Sequence, residues 1–233
     1  MPDRKALPPR IDVHDIPVFI ISFNRLGCLR KQLEILAEYG LRNIRIIDNC
    51  STYRPLLRFY NTCGCTVHRM QENFGHLALW RSRKFHDIID NVPFILTDND
   101  IFPDENCPKD FPELFYSILQ GDDTLTKVGF GLRIDDLPEY YENRQAVVEW
   151  ESQFWKEPYR DTPHFKAPID TTFALYRPNV RPSEDIWWNS VRTGFPYVAR
   201  HSPWYEHPGS EDEETAFYKK AIMRSSSHWY GKV

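Results

Sequence analysis

The segment FILTDND (Phe94–Asp100) carries two carboxylates, Asp98 and Asp100, at the exit of an apolar run. Oxygens spaced i and i+2 at such a point can grip a hard divalent cation, which takes one or two carboxylates and fills its shell with waters and phosphate oxygens. A diphosphate leaving group needs that help, because the cation neutralises charge that develops as the bond breaks. An acidic pair before a turn also serves as a solvated cap, and Pro103 and Asp104 mark a turn nearby. The apolar run favours the chemical reading, since ligands of open α/β sheets bind outside the carboxyl ends of strands. Three other apolar runs end in the same kind of residue: Asn24–Arg25, Asp48–Asn49 and Glu72–Asn73. Ser, Thr or Lys would fill ordinary loops equally well, so four such ends together point to a site.

The elements that must position these groups alternate between short apolar runs and helical patterns up to about residue 134, the signature of βαβ units on a parallel sheet. PVFIISF (Pro17–Phe23) reads as a strand covered on both faces. Leu26–Tyr39 follows as a helix with Leu29, Leu33, Leu36 and Ala37 on one face and Gly40 placed to end it. Strands are expected at Asn43–Asp48, Thr66–Met70, Pro93–Thr97 and Lys127–Ile134, and helices at Tyr53–Tyr60 and His76–Ile89. Beyond Asp135 the alternation fails. Arg144–Trp155 patterns as an amphipathic helix, TTFALY (Thr171–Tyr176) as a sixth strand and Glu213–Arg224 as a last helix. The Pro-, Trp- and Tyr-rich stretch between those two reads as irregular, and the whole as a single domain.

Composition narrows the classes. The chain has 233 residues, enough for one large domain, with ordinary shares of hydrophobic (41%) and charged (27%) residues. A net charge of −4 gives no general attraction for nucleic acid. The longest purely apolar stretches, such as Val18–Ile21, fall far short of the roughly 20 residues of a membrane span. MPDRKALPPR has no hydrophobic stretch behind it, so no secretory signal is visible. Five cysteines give no dense disulfide framework, and Cys63-Gly64-Cys65 lacks the second pair a zinc site wants. A cytoplasmic setting is the expectation. There is no G-x-S-x-G, G-x-G-x-x-G or G-x-x-x-x-G-K-[ST], which argues against serine hydrolase, nicotinamide Rossmann and P-loop chemistry.

FIISFNR, RIIDNCST, ENFGHLALW and FILTDND, in that order and spacing, resemble the family 2-like glycosyltransferases of the GT-A fold. The resemblance covers roughly Ile16 to Ile134, with looser likeness through APIDTTFALYRP and ARHSPWY. It implies an α/β fold with a Rossmann-type mixed, mostly parallel sheet flanked by helices. Residues 16–134 would bind the nucleotide sugar and 135–233 would form the acceptor half. It further implies a nucleoside diphosphate sugar donor, with UDP favoured, a Mn²⁺ or Mg²⁺ ion, and transfer to a hydroxyl of a glycan or other acceptor. By position, Phe23, Asn24, Arg25 and Asp48 would border base and ribose, and Asn73 would lie near the base. Asp98 would face ribose or metal, and Asp100 would be the main metal ligand. The DNCS of the second motif departs from the commoner two acids and a glycine, and a late acidic dyad is not obvious. EDEE (Glu211–Glu214) is better explained by the dipole of the helix it opens.

In such enzymes a late residue often adds a metal ligand, and His201 is placed for it. An imidazole can join carboxylates around Mn²⁺ and is a softer choice for Mg²⁺. His76, at the start of a helix, would cap it or touch the donor. Arg81 or Arg83 could reach a diphosphate. An inverting transferase needs one carboxylate to take the proton of the attacking hydroxyl. Asp170, at the mouth of TTFALY, is the first candidate, Glu151 the second, and Asp135 or Asp136 the third. Two rival readings remain. A sugar-nucleotide-forming nucleotidyltransferase would want a Gly-rich basic loop where FNRLGCLR stands, and a catalytically silent nucleotide-sugar-binding module would bind a donor without turning it over.

Overall fold

The computed structural model describes residues 7–183, 188–209 and 212–222. Val18–Ser22 (β1), Ile44–Asp48 (β2), Thr66–Arg69 (β3) and Phe94–Asp98 (β4) run parallel in the order β3-β2-β1-β4. Every residue of β1 is buried, and its side chains divide between two cores. Val18 and Ile20 join Leu29, Leu36 and Leu56 on one face of the sheet, while Phe19 and Ile21 join Leu79, Phe85 and Ile89 on the other. This is the continuous apolar strand that a doubly covered sheet requires. Leu26–Glu38 (α1) and Arg54–Phe59 (α2) supply the first face. Gly40, at φ 74°, ends α1 with Leu41 N–H on Leu36 O and Gly40 N–H on Ala37 O, a Schellman pair.

The helix expected over His76–Ile89 is broken. Ala78–Arg81 (α3) and His86–Ile89 (α4) flank a turn in which Arg83 takes φ 57°, a backbone state no helix tolerates. Ile101–Pro103 (β5) and Phe111–Gln120 (α5) follow, then Lys127–Leu132 (β6). Phe111 anchors α5 through rings of Phe115, Phe130 and Phe173 at centroid distances of 5.3, 4.8 and 5.4 Å. Arg144–Glu151 (α6) tightens into a 3-10 turn over Ser152–Trp155, so the expected helix covers both pieces.

Phe165–Lys166 (β7), Ala174–Tyr176 (β8) and Ser190–His201 (β9) complete a mixed sheet, β3-β2-β1-β4-β8-β6-β9-β5, with β7 on β9. β8 is antiparallel to β4 and β6, whereas β9 is parallel to β6 and antiparallel to β5 and β7. The stretch read as irregular therefore contains a twelve-residue strand. Its partner register jumps between Phe130 and Gly131, which lets Gly194–Tyr197 loop out of the ladder. Only the last half of TTFALY pairs as strand; Thr171 and Thr172 stay in the loop. Glu213–Ile222 (α7) matches the last expected helix, whose end at 223 and 224 lies outside the described residues, as does Glu211 of EDEE.

Candidate active site

Asp98 and Asp100 leave β4 in a turn held from beneath by Gln32 of α1. That buried amide donates to Thr97 Oγ1 at 3.2 Å, Asp98 O at 3.0 Å and Ile101 O at 3.2 Å. Gln32 faces inward with Leu29 and Leu36, whereas Ala37, read onto that face, points to solvent. A lone amide within an apolar helical stripe was the available signal for it.

The two carboxylates sit in different surroundings. Asp98 Oδ2 accepts 2.7 Å from Thr171 Oγ1, yet burial and then the charge of Asp100 push its carboxyl well above the ordinary range. Burial acts the same way on Asp100, but His201 and Arg25 outweigh it and hold that carboxyl below the ordinary range. Asp100 Oδ2 lies 3.2 Å from Arg25 Nη1 and 3.6 Å from His201 Nε2. The antiparallel register Ile101↔His201 puts the imidazole there, and Ser202 N–H donates to Asp100 O at 2.9 Å.

Arg25, expected beside base and ribose, points at Asp100. Its other arm pairs with Glu206, and its guanidinium lies 5.0 Å from the centre of the Tyr218 ring. Only 4% of the residue is exposed, and a cation so buried has to find carboxylates. A cleft of about 850 Å³ opens beside it, walled by Tyr140, Trp204, Glu206 and His201.

At the ends of β1 and β2, polar side chains knit the loops to one another. Asn24 adopts φ 54°; its Oδ1 accepts from Thr52 N–H at 2.8 Å and Tyr53 N–H at 3.0 Å, and its own N–H donates to Ser51 Oγ at 3.0 Å. Asn24 Nδ2 is buried with no partner among the described residues. Asp48 has no exposed surface: Oδ1 takes Ser51 N–H and the Tyr60 hydroxyl, each at 3.1 Å, and Oδ2 takes Arg69 Nε at 3.1 Å. With three protein donors on its two oxygens and no exposed surface, Asp48 ties the loops at this end together. The next residue, Asn49, makes the long reach, donating to Asn73 Oδ1 at 2.7 Å and accepting from Phe74 N–H at 2.8 Å.

Across this end lies α7. Tyr218 meets Phe23 and Phe217 meets Tyr53, at centroid distances of 6.3 and 5.2 Å. The Glu214 carboxylate accepts from Leu26 N–H at 2.8 Å and Gly27 N–H at 3.0 Å. It thereby caps α1, whose own N-cap residue Arg25 makes no side-chain cap bond.

On the opposite side of Asp98, the loop before β8 brings Asp170 to the same sheet edge. Its Oδ1 accepts from the N–H of Thr172 at 2.9 Å and from the Thr172 hydroxyl. Crowding by the protein raises this carboxyl, but Thr172, Arg192 and Lys127 together hold it below the ordinary range. The side chain stays open to solvent, facing a small hollow shared with His76, Thr171 and Tyr176. Glu151 is a different object. It is 6% exposed and paired at 2.7 Å with Arg192, which also donates to Pro168 O at 2.8 Å. Glu151 thus braces the loop that carries Asp170, and its oxygen is already committed. Asp135 and Asp136 are taken up by Arg133, at 2.9 and 3.2 Å, with Arg200 also on Asp136. All five cysteines are free thiols, with no zinc-like grouping among the described residues.

A divalent cation suits part of this set. One carboxylate oxygen and one imidazole nitrogen face each other at 3.6 Å, and His201 Nδ1 is buried without a partner among the described residues. No three acidic, thiol or imidazole groups converge there among the described residues, so phosphate oxygens and waters would complete the shell.

No protein-family model matches the chain, and no curated protein matches it in sequence. A mannosyltransferase from Pyrobaculum calidifontis, solved with GDP-Man and Mn²⁺, superposes with a TM-score of 0.52 over 97% of this chain and 68% of that one, at 13% identity. The fold is GT-A-like. A weaker likeness, TM-score 0.44, extends to glucosyl-3-phosphoglycerate synthase from Mycobacterium tuberculosis in two complexes. With phosphoglyceric acid it covers 70% of this chain and 56% of that one at 14% identity. With Mn²⁺ and UDP-glucose the figures are 74%, 62% and 13%. In a GT-A-like sheet the ends of β1, β2 and β4 form one rim, and here that rim carries Asn24, Asn49, Asp98 and Asp100 together. No helix of the described residues is long and apolar enough to cross a membrane.

Proposed function

We propose that this chain is a glycosyltransferase that moves a sugar from a nucleoside diphosphate donor to an acceptor hydroxyl with inversion. The observation that carries the reading is the hydrogen bond from Thr171 to Asp98, which joins the acidic tip of β4 to the loop bearing Asp170. Two kinds of carboxylate are thereby set side by side: one pair suited to a metal diphosphate, and one open oxygen suited to a proton.

Asp100 and His201, with Asp98 beside them, would hold Mn²⁺ or Mg²⁺, which when bound supplies the positive charge a departing diphosphate needs. Asp170 receives the proton of the acceptor hydroxyl as its oxygen bonds to the anomeric carbon and the bond from that carbon to the diphosphate breaks. Glu151 and Arg192 keep Asp170 in place through Pro168. Phe23, Asn24 and the loops tied by Asn49 and Asn73 border the nucleoside, with Asp48 as their buried brace and His76 on the sugar side. Residues 16–134 then form the donor half and 135–233 the acceptor half of one domain. The free thiols suit the cytoplasm.

The mannosyltransferase that shares the fold was solved with GDP-Man, so GDP-sugars stand beside UDP-sugars as donors. The test is a screen of UDP-, GDP- and dTDP-sugars with Mn²⁺ or Mg²⁺, reading release of nucleoside diphosphate. Release that needs both sugar nucleotide and metal supports the reading. Tight donor binding without release, across acceptors, would make the chain a silent binding module. Consumption of a nucleoside triphosphate and a sugar phosphate would make it a nucleotidyltransferase.

A further inference from the structure

We propose that Arg25 is a built-in stand-in for the metal: its guanidinium holds the coordinating edge of Asp100 until a cation takes that edge and Arg25 withdraws onto Glu206. This rests on the reading of Asp100 and His201 as metal ligands.

The geometry has three parts. The planar fork of Arg25 spans two carboxylates, reaching Asp100 Oδ2 at 3.2 Å with one nitrogen and Glu206 with the other. Those carboxylates differ in burial, with side chains 13% and 37% exposed, so Glu206 is the wetter berth to which the fork can retreat. The Tyr218 ring lies over the guanidinium at 5.0 Å and favours a cation there. Arg25 is also the N-cap residue of α1, so its backbone is anchored and any exchange between the two carboxylates is made by the side chain alone. Without guanidinium or metal, the buried Asp100 would keep only His201 beside its carboxylate, a weaker compensation than it has with both. The stand-in therefore keeps the acidic turn folded before loading, and it makes any cation compete for the site. Metal binding should be weak by itself and strengthen once the competitor is gone.

The experiment titrates the whole chain with Mn²⁺ alone, following free Mn²⁺ by its paramagnetic resonance signal. Arg25→Met should bind Mn²⁺ at least about tenfold more tightly than wild type, the size expected from removing one nearby positive charge in a partly buried site. Arg25→Lys, whose single ammonium cannot bridge both carboxylates, should fall in between. Lys31→Met removes a cation lining the same cleft without touching Asp100 and should change Mn²⁺ affinity less than about twofold. Thermal melts verify folding, and the Lys variant keeps the comparison if the Met variant unfolds. If Asp100→Asn weakens Mn²⁺ binding but both Arg25 variants match wild type, the stand-in is wrong while the metal site survives. An equal gain from Lys31→Met reduces the effect to a general field and overturns the proposal. Mn²⁺ binding unaffected by Asp100→Asn overturns the metal reading and this inference with it.

Discussion

Thr171 Oγ1 and Asp98 Oδ2 are joined by a hydrogen bond of 2.7 Å, although 73 residues separate them in sequence. The bond crosses from the exit of β4 to the loop entering β8, the antiparallel neighbour of β4. The strand pattern of TTFALY starts three residues too early, because pairing begins at Ala174 while Thr171 bonds Asp98 and Thr172 bonds Asp170.

Replacing Thr171 by Val keeps the shape and removes the donor. Unfolding free energy should drop by about 1–2 kcal/mol, and transfer should slow roughly tenfold or more as Asp98 and the Asp170 loop lose register. Urea unfolding and nucleoside diphosphate release measure the two effects. Wild-type turnover in a correctly folded variant would mean that the link is structural only.

Asp100→Asn addresses the metal reading directly. The amide keeps the size and one acceptor but loses the charge that a divalent cation needs. Transfer should decline on the order of 10²-fold or more, and saturating Mn²⁺ should recover little of it. Near-normal turnover with the usual metal dependence would remove Asp100 from the ligand set.

How much of this was legible beforehand depends on locality. β1, β2 and β4 are buried on both faces and short, so apolar runs announced them, and their polar exits followed in the same stretch of sequence. β9 was hidden because SVRTGFPYVARH carries Gly-Phe-Pro in its middle, where the strand loops out of the ladder. Its register against β5 nevertheless decides which residue faces Asp100. Type and position in the sequence pointed to His201, which lies against Asp100, whereas nothing local announced that Arg25 would reach the same carboxylate. No local pattern shows that Glu206, 181 residues away, would pair with the Arg25 side chain. Glu214 sits in the first turn of its own helix, as read, and in addition caps α1, a long-range contact that no local pattern shows.

Asp48 is fully buried and tied to three protein donors. With Ser51, Tyr60 and Arg69 on its two oxygens, Asp48→Asn turns one acceptor into a donor inside a fully occupied pocket. Stability should fall by about 2–3 kcal/mol. Nucleotide affinity, measured by calorimetry well below the melting point, should weaken only as the loop loosens. A large loss of affinity with unchanged stability would restore direct contact with the nucleoside.

Asp170 and Glu151 should separate by the kind of damage they show. Asp170→Asn keeps size and its Thr172 bonds but removes a practical base, so transfer should fall about 10²–10⁴-fold with donor affinity within a fewfold. Glu151→Gln leaves Arg192 buried without its counter-charge, so its first effect should be a loss of about 3 kcal/mol in stability. Lower transfer in that variant should recover on cooling. If Glu151→Gln is stable yet inactive and Asp170→Asn is active, their roles are reversed.

Lys127 gives the fold a pH dependence of its own. The side chain is almost wholly buried, with Nζ on Ile169 O and 3.5 Å from Asp170 O and the Tyr176 hydroxyl. Burial lowers its pKa to about 7, with Asp170 opposing and Arg192 assisting. In the unfolded chain the same amine titrates near its ordinary value of about 10.4. Between those two values the unfolded state holds the extra proton, so stability must rise with pH there, by at most about 1.4 kcal/mol per unit. Below the folded value the charged ammonium is carried in both states and its burial cost is felt in full. Lys127→Met keeps the volume and removes the titration. Between pH 7 and pH 9 wild type should therefore gain about 2 kcal/mol on the variant in urea unfolding, whatever the other groups contribute. Parallel stability curves for the two proteins would show that Lys127 remains charged in the folded chain throughout that range.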